Sequence, residues 1–420
     1  MTPLAQQTTR DLRWHNRSDL LARLYLGEST SRNDLARASG LSPATVSNVV
    51  SDLINEGLVA EVGSVSSAGG RPRALLRVRP DFGHVVGVDI AETRIQVGLF
   101  DWTLALVAEE VYPVVATRLE PVRVVEVVLA GIDRLTAEAG IAPDDLLGVG
   151  VGVPGAVQAD ALTPERTLVH APTLGWSEVP LAEMLAREIG TPLHIDNGAM
   201  ALGQAETWRG AARGAERAVT VLLGVGAGAA LTMAAEPGGR ARSITIEWGH
   251  TVIEVGGPPC RCGSRGCLET FIGAETILRH YQGLAGSEPF IGVGTEDQLA
   301  ELVGRRRTPA PGGAAGARAA ARAVDQALGS VVTYLGIGIG NLVNLLGPDR
   351  VVLSGWAGAI LGPALLPAVR DTVSRHTLPY LHGRTRIEQG ELGPEAVALG
   401  AATLPVARLL ADGGRATTSA

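Results

Sequence analysis

The three cysteines of this 420-residue chain, Cys260, Cys262 and Cys267, fall within eight residues and follow closely on His250. Thiols this crowded cannot make a disulfide framework, and the spacing H-x9-C-x-C-x4-C reads as metal chemistry. Three sulfurs and one imidazole suit tetrahedral Zn2+, and a filled four-ligand shell leaves no position for a catalytic water. A structural zinc held by His250, Cys260, Cys262 and Cys267 is therefore expected, a staple across one loop. Gly263 and Gly266 loosen that loop enough for the thiolates to converge. The competing reading, a buried cluster of free cysteines, has the spacing against it.

Around that staple the cores must be built from small and branched aliphatics, because apolar residues make up 46% of the chain and aromatics only 4%. The length predicts two or three domains. All 36 basic residues are Arg, which excludes a P-loop-type lysine. Residues 1–80 hold ten Arg against seven acidic residues, so with a net charge of −7 the remainder carries −10. A modestly basic head on an acidic body suits a protein that touches nucleic acid at one end only. Arg or Asp punctuates the apolar runs, so no membrane span is expected. The polar start, Met1 to Arg10, lacks the apolar stretch of a signal peptide, and a cytoplasmic location is expected.

Residues 1–80 read as a winged helix-turn-helix. Leu20, Leu21 and Leu24 mark a short amphipathic helix from Ser18 to Leu26. A second helix starts at Ser31, with Asp34 at capping-box spacing, and stops at Gly40. A third has Ser42 as N-cap and Pro43 at its first position, and Val46, Val49, Val50, Leu53 and Ile54 line one face up to Gly57. Its other side offers Ala44, Thr45, Ser47, Asn48 and Ser51, short enough to let the backbone enter a major groove. Leu58–Val62 and Ala74–Val78 alternate as two strands of a hairpin. Between them, Ser64–Arg73 reads as a loop whose Arg71 and Arg73 suit the minor groove of A·T-rich DNA. Ser42, Ala44, Thr45, Ser47, Asn48, Arg71 and Arg73 are the expected DNA contacts; the bland alternative is a three-helix interaction module.

From His84 the texture changes to alternating apolar strand runs and helical patterns, which argues for an α/β body in two lobes. Residues 304–318 read as an exposed loop and the residues from Asp412 as a disordered tail. Seven stretches carry a specific likeness: VGVDIAETRIQVGLFD from Val86, GVGVPGAV from Gly150, LGWSEVPL from Leu174, IDNGAMALGQAE from Ile195, LGVGAGAAL from Leu223, EWGH from Glu247 and CRCGSRGCLE from Cys260. With these the chain resembles the ROK family of repressors, open reading frames and sugar kinases, and with the winged helix in front it resembles the NagC/XylR-like repressor branch.

The resemblance implies a two-lobed sugar-kinase-like fold of the actin/hexokinase ATPase type behind the winged helix domain. It implies a first lobe over 84–195 completed by a C-terminal helix at about 394–411, a second lobe over 196–393, and a disordered 412–420. It places Thr173, Asp196, Glu247, His250 and Glu269 around sugar hydroxyls, with Asp196 where the kinases keep their catalytic base. Carboxylates accept pairs of hydrogen bonds from vicinal hydroxyls, and a metal-bound His still presents an oriented ring. The phosphate-binding turns depart from the family pattern. Asp89-Ile90-Ala91-Glu92-Thr93 stands where kinases read D-x-G-G-T, Gly224-Val225-Gly226-Ala227-Gly228-Ala229-Ala230 stands for G-T-G-x-G-G-G, and Leu353-Ser354-Gly355-Trp356 stands for L-G-G-G. Bare glycine N–H groups that could approach phosphate oxygens are lost in all three. The expectation is a sugar-responsive regulator and not an enzyme, with Asp196 a vestigial base. Expected partners are operator DNA as an inverted repeat, a sugar effector and further copies of the chain in a dimer or tetramer. The alternative is an active sugar kinase with an appended DNA-binding domain.

Overall fold

Two serines set the short helices of the head. In the computed structural model, which describes residues 9–67, 70–114, 119–142, 145–158, 166–234, 242–307 and 315–415, helix α1 (Thr9–Leu26) leads into strand β1 (Thr30–Ser31). Helices α2 (Arg32–Ser39) and α3 (Pro43–Asn55) follow, then the hairpin β2 (Val59–Ser67) and β3 (Gly70–Val78). The Ser31 hydroxyl accepts the Asp34 N–H at 3.3 Å and the Ser42 hydroxyl that of Thr45 at 3.1 Å, each satisfying an orphan donor of a first turn. Gly40, at φ 72°, takes the left-handed backbone that ends α2. The strand order is β1-β3-β2.

Two expectations for the head change. Helix α1 begins at Thr9 and not at Ser18, because its first turns are polar and carry no apolar stripe to mark them. The Ser64–Arg73 stretch is not an open loop: Ser64 pairs with Ala74 and Ser67 with Gly70, so backbone pairing extends the hairpin nearly to its tip. Gly69 and the Arg71 side chain lie outside the described residues.

The body holds two sheets of the same topology. In the first, β4 (His84–Ile90), β5 (Arg94–Asp101) and β6 (Leu106–Pro113) form an antiparallel meander. Helix α4 (Pro121–Ala139) crosses to β7 (Leu146–Val153). The small hairpin β8 (Ala156–Gln158) and β9 (Leu168–His170) and helix α5 (Leu181–Ala186) lead to β10 (Leu193–Asn197), giving the order β10-β7-β4-β5-β6. Helix α6 (Gly198–Arg209) opens the second half, whose meander is β11 (Arg217–Leu223), β12 (Ala227–Met233) and β13 (Arg242–Ile246). Helices α7 (Glu269–Ile272), α8 (Ala274–Gln282), α9 (Thr295–Arg307) and α10 (Ala315–Leu346) precede β14 (Arg350–Ser354). Helices α11 (Trp356–His376) and α12 (Pro379–His382) precede β15 (Arg386–Gln389), and α13 (Ala396–Ala411) closes the chain; the order is β13-β12-β11-β14-β15. In both sheets the first strand of the meander pairs in parallel with the first crossover strand. Strands β4 and β7, covered on both faces, are near-continuous apolar runs for that reason.

Helices α6 and α13 exchange lobes. Helix α6 leaves the first sheet and packs on β11 and β12 of the second, while α13 leaves the second sheet and packs on β4 and β7 of the first. They meet each other between the sheets along a seam of small residues. A Cβ on Gly150 would strike the Ala401 carbonyl, and one on Gly400 the Ala201 carbonyl. The wealth of Gly and Ala in this chain is in part what lets helix and sheet backbones approach so closely.

Three further expectations are corrected. The described residues of the 304–318 segment are helical, as α9 runs through Arg307 and α10 starts at Ala315; residues 308–314 lie outside the described part. Helix α10 is long and apolar enough to cross a membrane, contrary to the expectation that no run qualifies. Its stripe of Val324, Leu328, Val331, Leu335, Ile339 and Val343 is buried in the second lobe's core. The tail is not disordered from Asp412: Arg17 Nε donates to the Gly413 carbonyl at 2.6 Å, and Gly413 and Gly414 are buried against the head. Composition gave no sign of this, because the order comes from docking on α1; residues 416–420 lie outside the described part.

The head is not tethered loosely. Leu20, Leu24, Tyr25 and Leu53 of the head share one core with Phe100, Trp102, Val406 and Leu410 of the body.

Candidate functional site

The carboxyl ends of β4, β7, β10, β11 and β14 converge on one cleft between the lobes, the position at which open α/β sheets take ligands. The cleft encloses about 150 Å³. The first lobe supplies Asp89 to Glu92 and Thr173, and the second the Gly224–Gly228 turn, Glu247, His250, Glu269 and Trp356. The N-termini of α6 and α13 close its floor with Gly198, Ala199, Ala396 and Val397.

Thr173, Glu247, His250 and Glu269 thus come together as expected, and Asp196 does not. Its carboxylate accepts the N–H of Asn197 at 2.7 Å, and the residue opens on a separate cleft with Thr167 and His194. Side chains alternate along a strand, so β10 sends Asn197 to the cavity in its place. Asn197 Nδ2 donates to the Gly155 carbonyl at 2.6 Å, and its Oδ1 accepts the Ala199 N–H at 2.8 Å as the N-cap of α6. Burial raises the Asp196 pKa, and the Asn197 N–H opposes the rise. Asn directly before a helical pattern was the signal in the sequence that could have marked Asn197.

The candidate metal ligands stand against one wall. The ligand atoms of His250, Cys260, Cys262 and Cys267 all lie within 4.8 Å of one another. Cys262 Sγ is 3.7 Å from Cys267 Sγ, and Cys260 Sγ is 3.6 Å from His250 Nδ1. A tetrahedral shell with metal–sulfur bonds of about 2.3 Å has sulfur–sulfur edges of about 3.8 Å, so this donor set can hold a metal ion. Gly266, at φ 72°, turns the loop back so tightly that a Cβ there would strike the Glu254 carbonyl. Glu269 joins this cluster to the cleft: its Oε1 is 3.2 Å from Arg261 Nε and 3.3 Å from Cys260 Sγ.

The turn between β4 and β5 is rich in charge. Glu92 faces the cleft near Thr173 and Arg261; burial raises its pKa, Glu269 adds to the rise, and Arg261 and Thr173 oppose it. Asp89 beneath it is pushed up to about 7, chiefly by burial, with Glu92 and Glu296 adding and Arg94 opposing. Arg94 is committed elsewhere: it reaches both oxygens of Glu296 on α9 at 3.1 Å and donates to the Pro394 carbonyl at 3.0 Å. The Thr93 hydroxyl donates to Glu296 at 3.1 Å, so this first-lobe turn clasps the second lobe. Nothing in the sequence pattern marked Glu296, because its partner is some two hundred residues away. On the facing turn, the Trp356 indole packs over Gly224, where a Cβ would sit 3.1 Å from Nε1.

The expected DNA contacts occupy the start of α3 and the hairpin. Ser42, Ala44 and Asn48 are exposed, and Thr45 and Ser47 are half-buried. Ser42 and Thr45 also meet through their hydroxyls at 2.9 Å, so part of this surface is committed to capping the helix. Arg73 is exposed on β3.

The ROK family profile matches residues 85–408, and a winged helix-turn-helix DNA-binding profile matches residues 16–60. The chain is 28% identical over 386 residues to the xylose repressor of Caldicellulosiruptor bescii, covering 90% of this chain and 92% of that protein. It is 32% identical over 262 residues to a glucokinase of Halalkalibacterium halodurans, covering 61% of this chain and 75% of that one. A crystal structure of a ROK family transcriptional regulator, a homologue of the Escherichia coli MLC protein, superposes with a TM-score of 0.72. The identity there is 20%, and the match covers 96% of this chain and 98% of that one.

Proposed function

The chain belongs to the ROK family, and on that premise we propose a repressor that holds operator DNA through its winged helix and releases it when a sugar enters the cleft. One observation carries the proposal. Helices α6 and α13 both begin at the cleft, with Gly198 and Ala396, and both end on the head. The end of α6 brings Trp208 to 5.8 Å from the Tyr25 ring, and the Leu410 carbonyl of α13 accepts the Ser18 hydroxyl at 2.8 Å. A sugar that prefers one lobe closure shifts the lobes, and two stiff, mutually packed helices carry that shift to α1.

The finer assignments follow the same geometry. Ser42, Ala44, Thr45, Ser47 and Asn48 would meet a major groove, with Arg71 and Arg73 at the minor groove beside it. Thr173, Glu247, His250 and Glu269 would hold the sugar, joined by Asn197 in place of Asp196. The four clustered ligands would hold a structural Zn2+, which ties the loop carrying Glu269 to His250. The two sheets support a head over 1–80, a first lobe over 84–195 with 394–411, and a second lobe over 196–393, except that β10 carries the first lobe on to Asn197. A pair of chains would present two heads to an inverted repeat in cytoplasmic DNA. Kinase activity is disfavoured by Glu92 at one phosphate turn, by Trp356 over the other, and by Asp196 lying off the cleft.

Gel-shift binding to the chain's own upstream region, at fixed salt and with a sugar panel, tests the proposal. Specific binding released by one sugar supports it, and indifference to every sugar overturns it. Sugar-dependent ADP release would favour the kinase reading instead.

A further inference from the structure

We infer that Thr93, Arg94 and Glu296 form a latch between the lobes that sets how readily the cleft closes on its sugar. Glu296, which does not line the cleft, then governs the sensitivity of the response from outside it. The inference rests on the sugar-responsive reading above and adds a device to it. The chain crosses between the lobes at the start of α6 and in the segment before α13. The latch is a further link, between residues distant in sequence. Arg94 Nη1 spans both oxygens of Glu296 at 3.1 Å, and the Thr93 hydroxyl donates to the same carboxylate at 3.1 Å. Arg94 Nη2 donates to the Pro394 carbonyl, in the segment that leads into α13, at 3.0 Å. Its Nε is buried without a hydrogen-bond partner. Among the described residues, every hydrogen bond of this guanidinium therefore leaves its own sheet.

Both ends of the latch are anchored in packed elements. Ile95, next to Arg94 on β5, is buried in the first lobe's core, and Leu299 and Leu302 fix α9 in the second lobe's core. The approach to α9 is built as well. The Glu301 carboxylate accepts the N–H groups of Ile291 and Gly292 at 2.9 and 3.2 Å, and Gln298 Nε2 donates to the Gly292 carbonyl at 3.0 Å. Glu296 lies in the first turn of α9, where the helix dipole favours a carboxylate. The Arg94 side chain is 13% exposed and that of Glu296 34%, so water and salt screen the pair less than a surface ion pair. Hydrogen bonds fail beyond about 3.5 Å, so a relative shift of about 1 Å between the lobes here is enough to break them. The latch therefore belongs to one closure.

Latch and sugar favour the same closure. Glu296 draws in the turn between β4 and β5, and that turn carries Asp89 and Glu92 on the first-lobe wall, across from Glu247 and Glu269 on the second. A ligand that touches both walls draws the same parts together. Part of the closing free energy is then supplied before the ligand arrives, and apparent affinity rises with the share of chains already closed. Thr93 ends the turn whose glycines are lost relative to the kinase pattern, and its hydroxyl is committed to a carboxylate of the opposite lobe.

Titration calorimetry on the full chain with D-xylose, D-glucose and N-acetylglucosamine, together with gel shifts on the upstream region, tests this. In Glu296→Gln the sugar that binds wild type should bind about three- to ten-fold more weakly. The concentration that half-releases operator should rise in step, while operator affinity without sugar stays equal or tightens. Arg94→Gln should weaken sugar binding as well, and adding Glu296→Gln to it should change little further. Thr93→Val serves if Glu296→Gln does not fold. Sugar affinity unchanged or tighter in the folded variant, or losses that add in the double variant, overturn the latch while leaving the sugar-responsive reading intact. Operator binding weakened in parallel with sugar binding marks Glu296 as merely structural and overturns the latch too. Failure of every probe to bind wild type, with operator binding unaffected by any of them, overturns both.

Discussion

Tyr25 is where the ligand signal should be easiest to interrupt. Its side chain is 2% exposed, stands edge-on to Trp102 at 4.9 Å and to Trp208 at 5.8 Å, and its hydroxyl donates to the Trp102 carbonyl at 2.7 Å. The Arg209 guanidinium, at the end of α6, lies 5.8 Å from the same ring. Tyr25→Ala removes an aromatic from a packed core, a loss of about 3–5 kcal/mol, and strands a buried carbonyl at roughly 1–3 kcal/mol more. Tyr25→Phe keeps the packing but leaves the same carbonyl without its donor, roughly 1–3 kcal/mol. Allosteric coupling is typically about 1–3 kcal/mol, or about 5- to 150-fold in affinity. The Ala variant therefore removes more contact energy than the coupling itself, and the Phe variant removes no more than the coupling. Gel-shift midpoints with and without the releasing sugar should converge in Tyr25→Ala and stay apart in Tyr25→Phe. Calorimetry should show sugar binding retained in both, because the cleft is at the other end of α6. A Tyr25→Ala chain that binds operator and is still fully released by sugar would refute transmission through this contact.

Further outcomes follow from the same geometry. Cys267→Ser should lose the bound metal, measured as zinc per chain, and melt at lower temperature, since three ligands no longer close the shell; full metal content would count against the four-ligand site. Asp89 carries a native carboxyl lifted to about 7, so the folded chain holds a proton that the unfolded chain releases. Its contribution is intact below about pH 4 and is lost as pH rises through about 7, a swing of roughly 4 kcal/mol at most. Asp89→Asn should accordingly raise the melting temperature over wild type at about pH 8 and leave it nearly unchanged at about pH 4; a pH-independent difference would refute the assignment. Gly150→Ala drives a Cβ into the Ala401 carbonyl and should cost about 3 kcal/mol or more in urea unfolding, whereas a loss under about 1 kcal/mol would mean the α13 seam is not tight.

Most of the local structure was legible because its causes are local. Ser31, Gly40, Ser42 and Pro43 delimit α2 and α3 through bonds to their own neighbours. The gathering of His250, Cys260, Cys262 and Cys267 was legible for the same reason, as the spacing of four residues nearly determines whether their atoms can meet. The likeness to a family supplied the two-lobed plan and four residues, Thr173, Glu247, His250 and Glu269, that line one cleft.

What went unread depends on partners remote in sequence. Whether Asp196 or Asn197 faces the cleft is settled by the register of β10 on β7, where Asp196 stands opposite Gly152. The clasp of Arg94 on Glu296 exists because two lobes meet, and the burial of Gly413 because α1 covers it. Caps, periodic faces and the spacing of the four Cys and His residues could be read directly, since those energies act within a few residues. Which carboxylates meet in the cleft, and that α6 and α13 each run from the cleft to the winged helix head, follow only from the packed fold, because burial and close approach arise only once distant segments meet.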